Sequence, residues 1–141
     1  ASMTINGGKI KTTGVRASYA LSAAQNNTNV TVNGGWIGSI NVVNGANATV
    51  NGGTVVNEHS WYAVYSGRDL PFYNYGTVAI YGGYFCGADG YVDIYCTNEG
   101  DVALMGGYFR DNNAAPAAGY GYVDNVQEVD GITYNYEVVP L

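Results

Sequence analysis

The chain has 141 residues, the size of a single domain, and a net charge of -6 from five basic and eleven acidic residues. Its 21 Gly, 16 Asn, 17 Val and 14 Tyr, against four Leu and two Lys, exclude a mainly helical protein, because residues suited to pleated sheet carry the apolar content. A nucleic-acid partner is disfavoured too, since phosphate binding rests on clustered cations.

The longest uncharged stretch, residues 17–57, is full of Asn, Thr and Gly and cannot form a membrane span. No cationic segment followed by an apolar run opens the chain, which fits either cytoplasmic assembly or a processed piece of an exported protein. Ala1-Ser2-Met3 reads equally as a natural start or a cloning scar.

In chain order, the first element is Thr4-Ile5-Asn6-Gly7-Gly8-Lys9-Ile10, and the same pattern returns as TVNGGWI at 31–37, TVNGGTV at 49–55, AIYGGYF at 79–85 and ALMGGYF at 103–109. The leading glycines, Gly7, Gly34, Gly52, Gly82 and Gly106, lie 27, 18, 30 and 24 residues apart. A recurrent core with variable spacing is what a solenoid permits, because insertions collect in loops while strands stay in register. Two apolar columns emerge, Ile5, Val32, Val50, Ile80 and Leu104, and Ile10, Ile37, Val55, Phe85 and Phe109. They are five residues apart, an odd number, so a flat strand would place them on opposite faces. A corner at the Gly-Gly pair turns both inward. A phosphate-cradling glycine loop would need a following helix and a longer glycine pattern, which no copy has.

A second strand follows in most repeats, at residues 17–21, 40–42, 61–65 and 91–96, each alternating in period two. After the last copy, residues 119–129 and 132–139 flank Asp130-Gly131, a hairpin signal. Residues 111–141 are therefore expected to cap the open end of a solenoid formed by residues 1–110. Nothing comparable precedes Thr4, and the first repeat is expected to pack on a partner or on sequence upstream.

These residues resemble the right-handed parallel β-helix repeats of gut bacterial surface proteins and of the fibres, spikes and capsid decorations of their phages. The resemblance covers roughly residues 3 to 110 and rests on the core [TA]-[IVL]-x-G-G-x-[IVF]. It implies an all-β chain, a short single-stranded parallel β-helix of about five coils with a C-terminal β-hairpin cap, and it is the source of the handedness. It also implies a virion-surface structural component that associates with itself as a trimer and with other virion or surface proteins. A C-terminal fragment of a bacterial cell-surface adhesin, extracellular or on the cell surface, is the alternative. A polysaccharide-degrading β-helix enzyme is the third reading.

Enzymatic chemistry has little to stand on in the sequence. Lys9, Lys11, Arg16, Arg68 and Arg110 are scattered, so a lyase base has no evident home. Asp93 and Asp101 form the only carboxylate pair to suggest itself, and the Asp89-Gly90 and Glu99-Gly100-Asp101 runs read better as turns. Neither cluster has the ligand count of a Ca²⁺ site, and no metal or cofactor is expected. His59 lies in a loop between Glu58 and Ser60, where neighbouring side chains diverge and no nucleophile elbow exists. Cys86 is expected to face outward and Cys96 inward, which disfavours a disulfide. Asn6, Asn33 and Asn51 form a column suited to an amide ladder.

What remains is an aromatic surface. Lys9, Trp36, Thr54, Tyr84 and Tyr108 occupy one outward column, and Trp61, Tyr62, Tyr65, Tyr73, Tyr75, Tyr81, Tyr91 and Tyr95 cluster between residues 61 and 95. Exposed Tyr and Trp serve protein interfaces and sugar-binding faces, offering large apolar area with a polar tip. Trp36, Trp61, Tyr62, Arg68, Phe72, Tyr84 and Tyr108 are accordingly the candidate binding residues, for partner subunits or host polysaccharide, with the insertion around Arg68 and Phe72 as the expected contact surface.

Overall fold

The computed structural model describes residues 1–11, 19–59, 61–67, 75–98 and 101–141. Among them no helix forms. The chain lays down three short strands at a time: β1 (Ser2–Ile5), β2 (Lys9–Ile10) and β3 (Leu21–Ala23), then β4 (Asn29–Val32), β5 (Trp36–Ile37) and β6 (Ile40–Val43). The next sets are β7 (Asn47–Val50), β8 (Thr54–Val56) and β9 (Val64–Gly67), then β10 (Thr77–Ile80), β11 (Tyr84–Cys86) and β12 (Ile94–Cys96). β13 (Val102–Leu104) and β14 (Tyr108–Phe109) lead into the longer β15 (Tyr120–Val129) and β16 (Ile132–Pro140).

Every third strand pairs in parallel. The first sheet runs β1-β4-β7-β10-β13, the second β2-β5-β8-β11-β14 and the third β3-β6-β9-β12, with β16 and then β15 added antiparallel beyond β14. This all-β, mostly parallel arrangement is compatible with the β-helix-like expectation. It differs in detail, because each of the first four repeats carries three strands where two were expected. The motif bends so sharply at Gly-Gly that its halves join separate sheets.

The two glycines of the pair do different jobs. A Cβ on Gly34, Gly52 or Gly82 would meet the carbonyl oxygen of Asn6, Asn33 or Asn51 at 2.7, 2.9 and 2.7 Å, so the first glycine lets backbone of one repeat rest on the next. The second takes a left-handed φ, 93° at Gly35 and 111° at Gly83, which turns the chain into the second sheet. Both apolar columns then point inward. Val32, Val50, Ile80 and Leu104 are fully buried on the first sheet, as are Val55 and Phe85 on the second. Phe85 and Phe109 stack with ring centroids 5.1 Å apart. Each such side chain contributes roughly 1.5–3 kcal/mol over its exposed state. Leu21, Ile40, Val64 and Ile94 complete the core from the third sheet.

Outside the core the expected amide ladder is present, Asn33 Nδ2 donating to Asn6 Oδ1 at 2.9 Å and Asn51 Nδ2 to Asn33 Oδ1 at 2.8 Å. The third-sheet strands begin later than the alternation suggests. β9 starts at Val64 and β12 at Ile94, because the chain bends before each, and the Asp93 carbonyl accepts from both Ala63 and Val64 N–H. Ala17 and Ser18 lie outside the described residues.

The hairpin forms as its turn predicts, with φ of 53° at Asp130 and 80° at Gly131. Val138 joins the main core, whereas Tyr134 packs with Val56 and Cys86 in a second apolar cluster on the outer side of the second sheet. Cys86 therefore differs from expectation. It leaves the main core as an outward residue, but the hairpin covers it and only 7% stays exposed. Cys86 and Cys96 are not bonded to each other.

Candidate functional site

The outer face of the third sheet stacks one position from each of the first four repeats, Ser22, Asn41, Tyr65 and Tyr95. Tyr65 and Tyr95 are nearly coplanar stacked rings, 5.7 Å apart with 4° between planes. The column then changes from aromatic to small and polar at Asn41, so the ring stack stops at Tyr65 and leaves a step. Tyr19 stands beside that step, 5.4 Å from Trp61 and 6.1 Å from Tyr65. Tyr19, Asn41, Trp61, Tyr62 and Tyr65 line a groove of about 450 Å³, within the roughly 300–1,000 Å³ of ligand sites. Asn41 Nδ2 donates to Ser22 Oγ at 3.0 Å, which fixes the amide on the groove floor.

The loop that presents Trp61 is held by Asn57, itself 4% exposed. Asn57 Nδ2 donates to the Tyr62 carbonyl at 3.0 Å, its Oδ1 accepts from His59 N–H at 3.0 Å, and its own N–H donates to the Cys86 carbonyl. The Trp61 carbonyl in turn accepts from Ala88 N–H. Trp61 adopts a φ of 81°, a conformation that costs a bulky L-residue roughly 1–3 kcal/mol and persists where the surroundings over-determine it. Beside it, Tyr62 stacks on Tyr95 at 4.7 Å and meets Tyr91 edge-on at 5.7 Å. Burial, then the Tyr95 and Tyr91 phenols, raise the Tyr62 pKa, so its hydroxyl stays protonated at neutral pH and can both donate and accept.

No family model, curated protein or solved structure matches this chain.

The remaining candidate residues fall elsewhere. Trp36, Tyr84 and Tyr108 share the outward column of the second sheet, as their register required. There Lys9 Nζ lies 4.9 Å from the Trp36 ring, and Tyr84 stacks on Tyr108 at 4.9 Å. All three rings are half-buried against the cluster that Tyr134 anchors, so the hairpin takes up much of the surface they would offer a ligand. Of the five candidates among the described residues, Trp61 and Tyr62 line the groove. Arg68 and Phe72 lie outside the described residues, with Ser60, Tyr73, Glu99 and Gly100. The sequence pattern does not single out Tyr19 or Asn41, which fall in the second strands expected at residues 17–21 and 40–42.

The carboxylates also sort differently. Asp93, expected to oppose Asp101, instead pairs with Asp111, while Asp101 Oδ2 accepts from Asn98 Nδ2 within its own turn. Asp93 N–H donates to Asp111 Oδ2 at 2.8 Å and Asp111 N–H returns a bond to Asp93 Oδ2 at 2.9 Å, with Gly87 N–H on Asp93 Oδ1 at 2.9 Å. Arg110 Nε approaches Asp93 at 3.7 Å. Asp93 is 1% exposed, and burial, then the Asp111 charge, push its carboxyl up to about 7. Both carboxylates have their oxygens occupied by backbone N–H groups, Asp111 Oδ1 accepting from Asn113. The pair is built as a staple between the bend before β12 and the segment after β14. Among the described residues no three His, Cys, Asp or Glu side chains gather as a metal site.

Proposed function

We propose that the chain is a non-enzymatic structural and binding module: a short right-handed parallel β-helix, three strands to the coil, that displays an aromatic groove to a neutral sugar chain. The groove of Tyr19, Asn41, Trp61, Tyr62 and Tyr65 is the observation that carries this. A pyranose presents one apolar face of C–H bonds and a rim of hydroxyls, and the Trp61 and Tyr65 rings supply the apolar wall while the Asn41 amide and Tyr62 phenol supply hydrogen bonds. A scaffold of stacked parallel strands holds these groups without an ordering cost at binding. The setting that best fits such a module is the surface of a phage particle, as a capsid decoration or fibre component that self-associates, with a bacterial adhesin fragment as the nearest alternative.

The test is titration of the chain with a panel of soluble bacterial surface polysaccharides, followed by calorimetry for affinity in both parent and variant and by Trp fluorescence in the parent. At least one should quench and shift the Trp61 emission, and Trp61→Ala should weaken that binding at least about tenfold, or 1.4 kcal/mol, with the melting temperature kept. Absence of binding across the panel, or equal binding by Trp61→Ala, sinks the proposal. Release of reducing ends during incubation would replace it with the degradative reading.

A further inference from the structure

The second sheet ends on β15, and among the described residues no strand lies along its outer edge. This edge is ten residues long, and it carries neither Lys nor Pro, the residues with which proteins commonly block an edge. One irregularity in its pairing with β16, between Asp124 and Gln127, is the single interruption. Val126 is 66% exposed and Val123 40%, and the acidic Asp124 and Glu128 are exposed among them. Charge is distributed unevenly along the chain. Residues 111–141 hold Asp111, Asp124, Glu128, Asp130 and Glu137 without one Lys or Arg, whereas no acidic residue precedes Glu58.

We propose that the outer edge of β15 accepts an added strand from a basic partner protein, a segment alternating Lys or Arg with apolar residues. Backbone N–H and C=O groups of the edge would supply the ladder, the exposed valines an apolar contact, and Asp124 and Glu128 the charge complement. A second copy is the poorer occupant, because pairing β15 with itself sets an acidic strand against an acidic strand, and like charges across a ladder repel. The inference is independent of the groove, which lies on the third sheet.

The experiment mixes the full chain with a synthetic peptide of alternating Lys and Val, as long as β15, and with its Glu-Val counterpart, and follows hydrogen exchange of the β15 amides. The basic peptide should bind at least about tenfold more tightly than the acidic one and lose affinity as salt rises from about 50 to about 500 mM. The β15 amides should gain protection on binding. Val126→Lys, at an exposed position, should weaken binding without changing the melting temperature. Equal affinity for both peptides, or protection that leaves β15 unaffected, overturns the proposal. So does β15 protection that appears in the chain alone and vanishes on dilution, which would assign the edge to a second copy.

Discussion

Asp93 shows how one residue can be misplaced by a correct periodicity. Alternation through Val92, Ile94 and Cys96 sends Asp93 outward, yet it is 1% exposed, because the bend before β12 carries it beneath Arg110 and against Asp111. Its carboxyl is held up at about 7 by burial first and Asp111 second, from an ordinary 3.8. The folded chain then keeps a proton that the unfolded chain releases between about pH 4 and 7, so this group's contribution to stability is present at the acid side and is lost as pH rises through that window. For one proton the slope is at most about 1.4 kcal/mol per pH unit. Thermal melts of the parent and Asp93→Asn across this range should show the parent losing stability more steeply with rising pH. Parallel curves would mean that Asp93 is ionised in the fold.

Trp61 is misplaced in another way. Its residue type made it a candidate, but its left-handed φ follows from the hydrogen bonds of Asn57 and Ala88, which no local pattern announces.

At the scale of the element, the corner is the unit that the repeat encodes. From the second pair onward both glycines are required, one for close approach to the preceding repeat and one for a positive φ, whereas a Cβ on Gly7 in the first pair would meet nothing; at every pair the residues on either side fall into separate sheets. Gly83→Ala places a Cβ at a φ of 111° and 3.1 Å from the Gly53 carbonyl oxygen. It should lower stability by roughly 1–3 kcal/mol in denaturant titration, whereas a change of a few tenths would show that the corner yields. The motif was legible as a corner because five copies repeat it. Its division into two strands was not, because two or three residues per strand are too few to show a period of their own.

At the scale of the molecule, the hairpin decides which aromatic surface stays open. β16 pairs with β14, and Tyr134 then lies over the outward side of the second sheet, closing on Cys86 and Tyr84. Burial raises the Cys86 thiol to about 11, so little thiolate exists near neutral pH. Alkylation of Cys86, read by peptide mass spectrometry, should be slow in the native chain and at least about tenfold faster in Tyr134→Ala. An unchanged rate would show that the hairpin does not shield that face. The third sheet receives no such cover among the described residues, and its outer aromatics are the ones that form a groove.

The sequence by itself determined the all-β class, the five corners, both inward columns, the Asn ladder and the Asp-Gly hairpin, because each depends on residues close in the chain or on identical positions one repeat apart. The tertiary structure alone decided that Asp93 meets Asp111, that Cys86, Tyr84 and Tyr108 are covered, and that Tyr19 and Asn41 complete the groove with Trp61. Those contacts join segments whose separation is set by loops of unequal length. A spacing that varies from repeat to repeat carries no register that a periodic pattern could reveal.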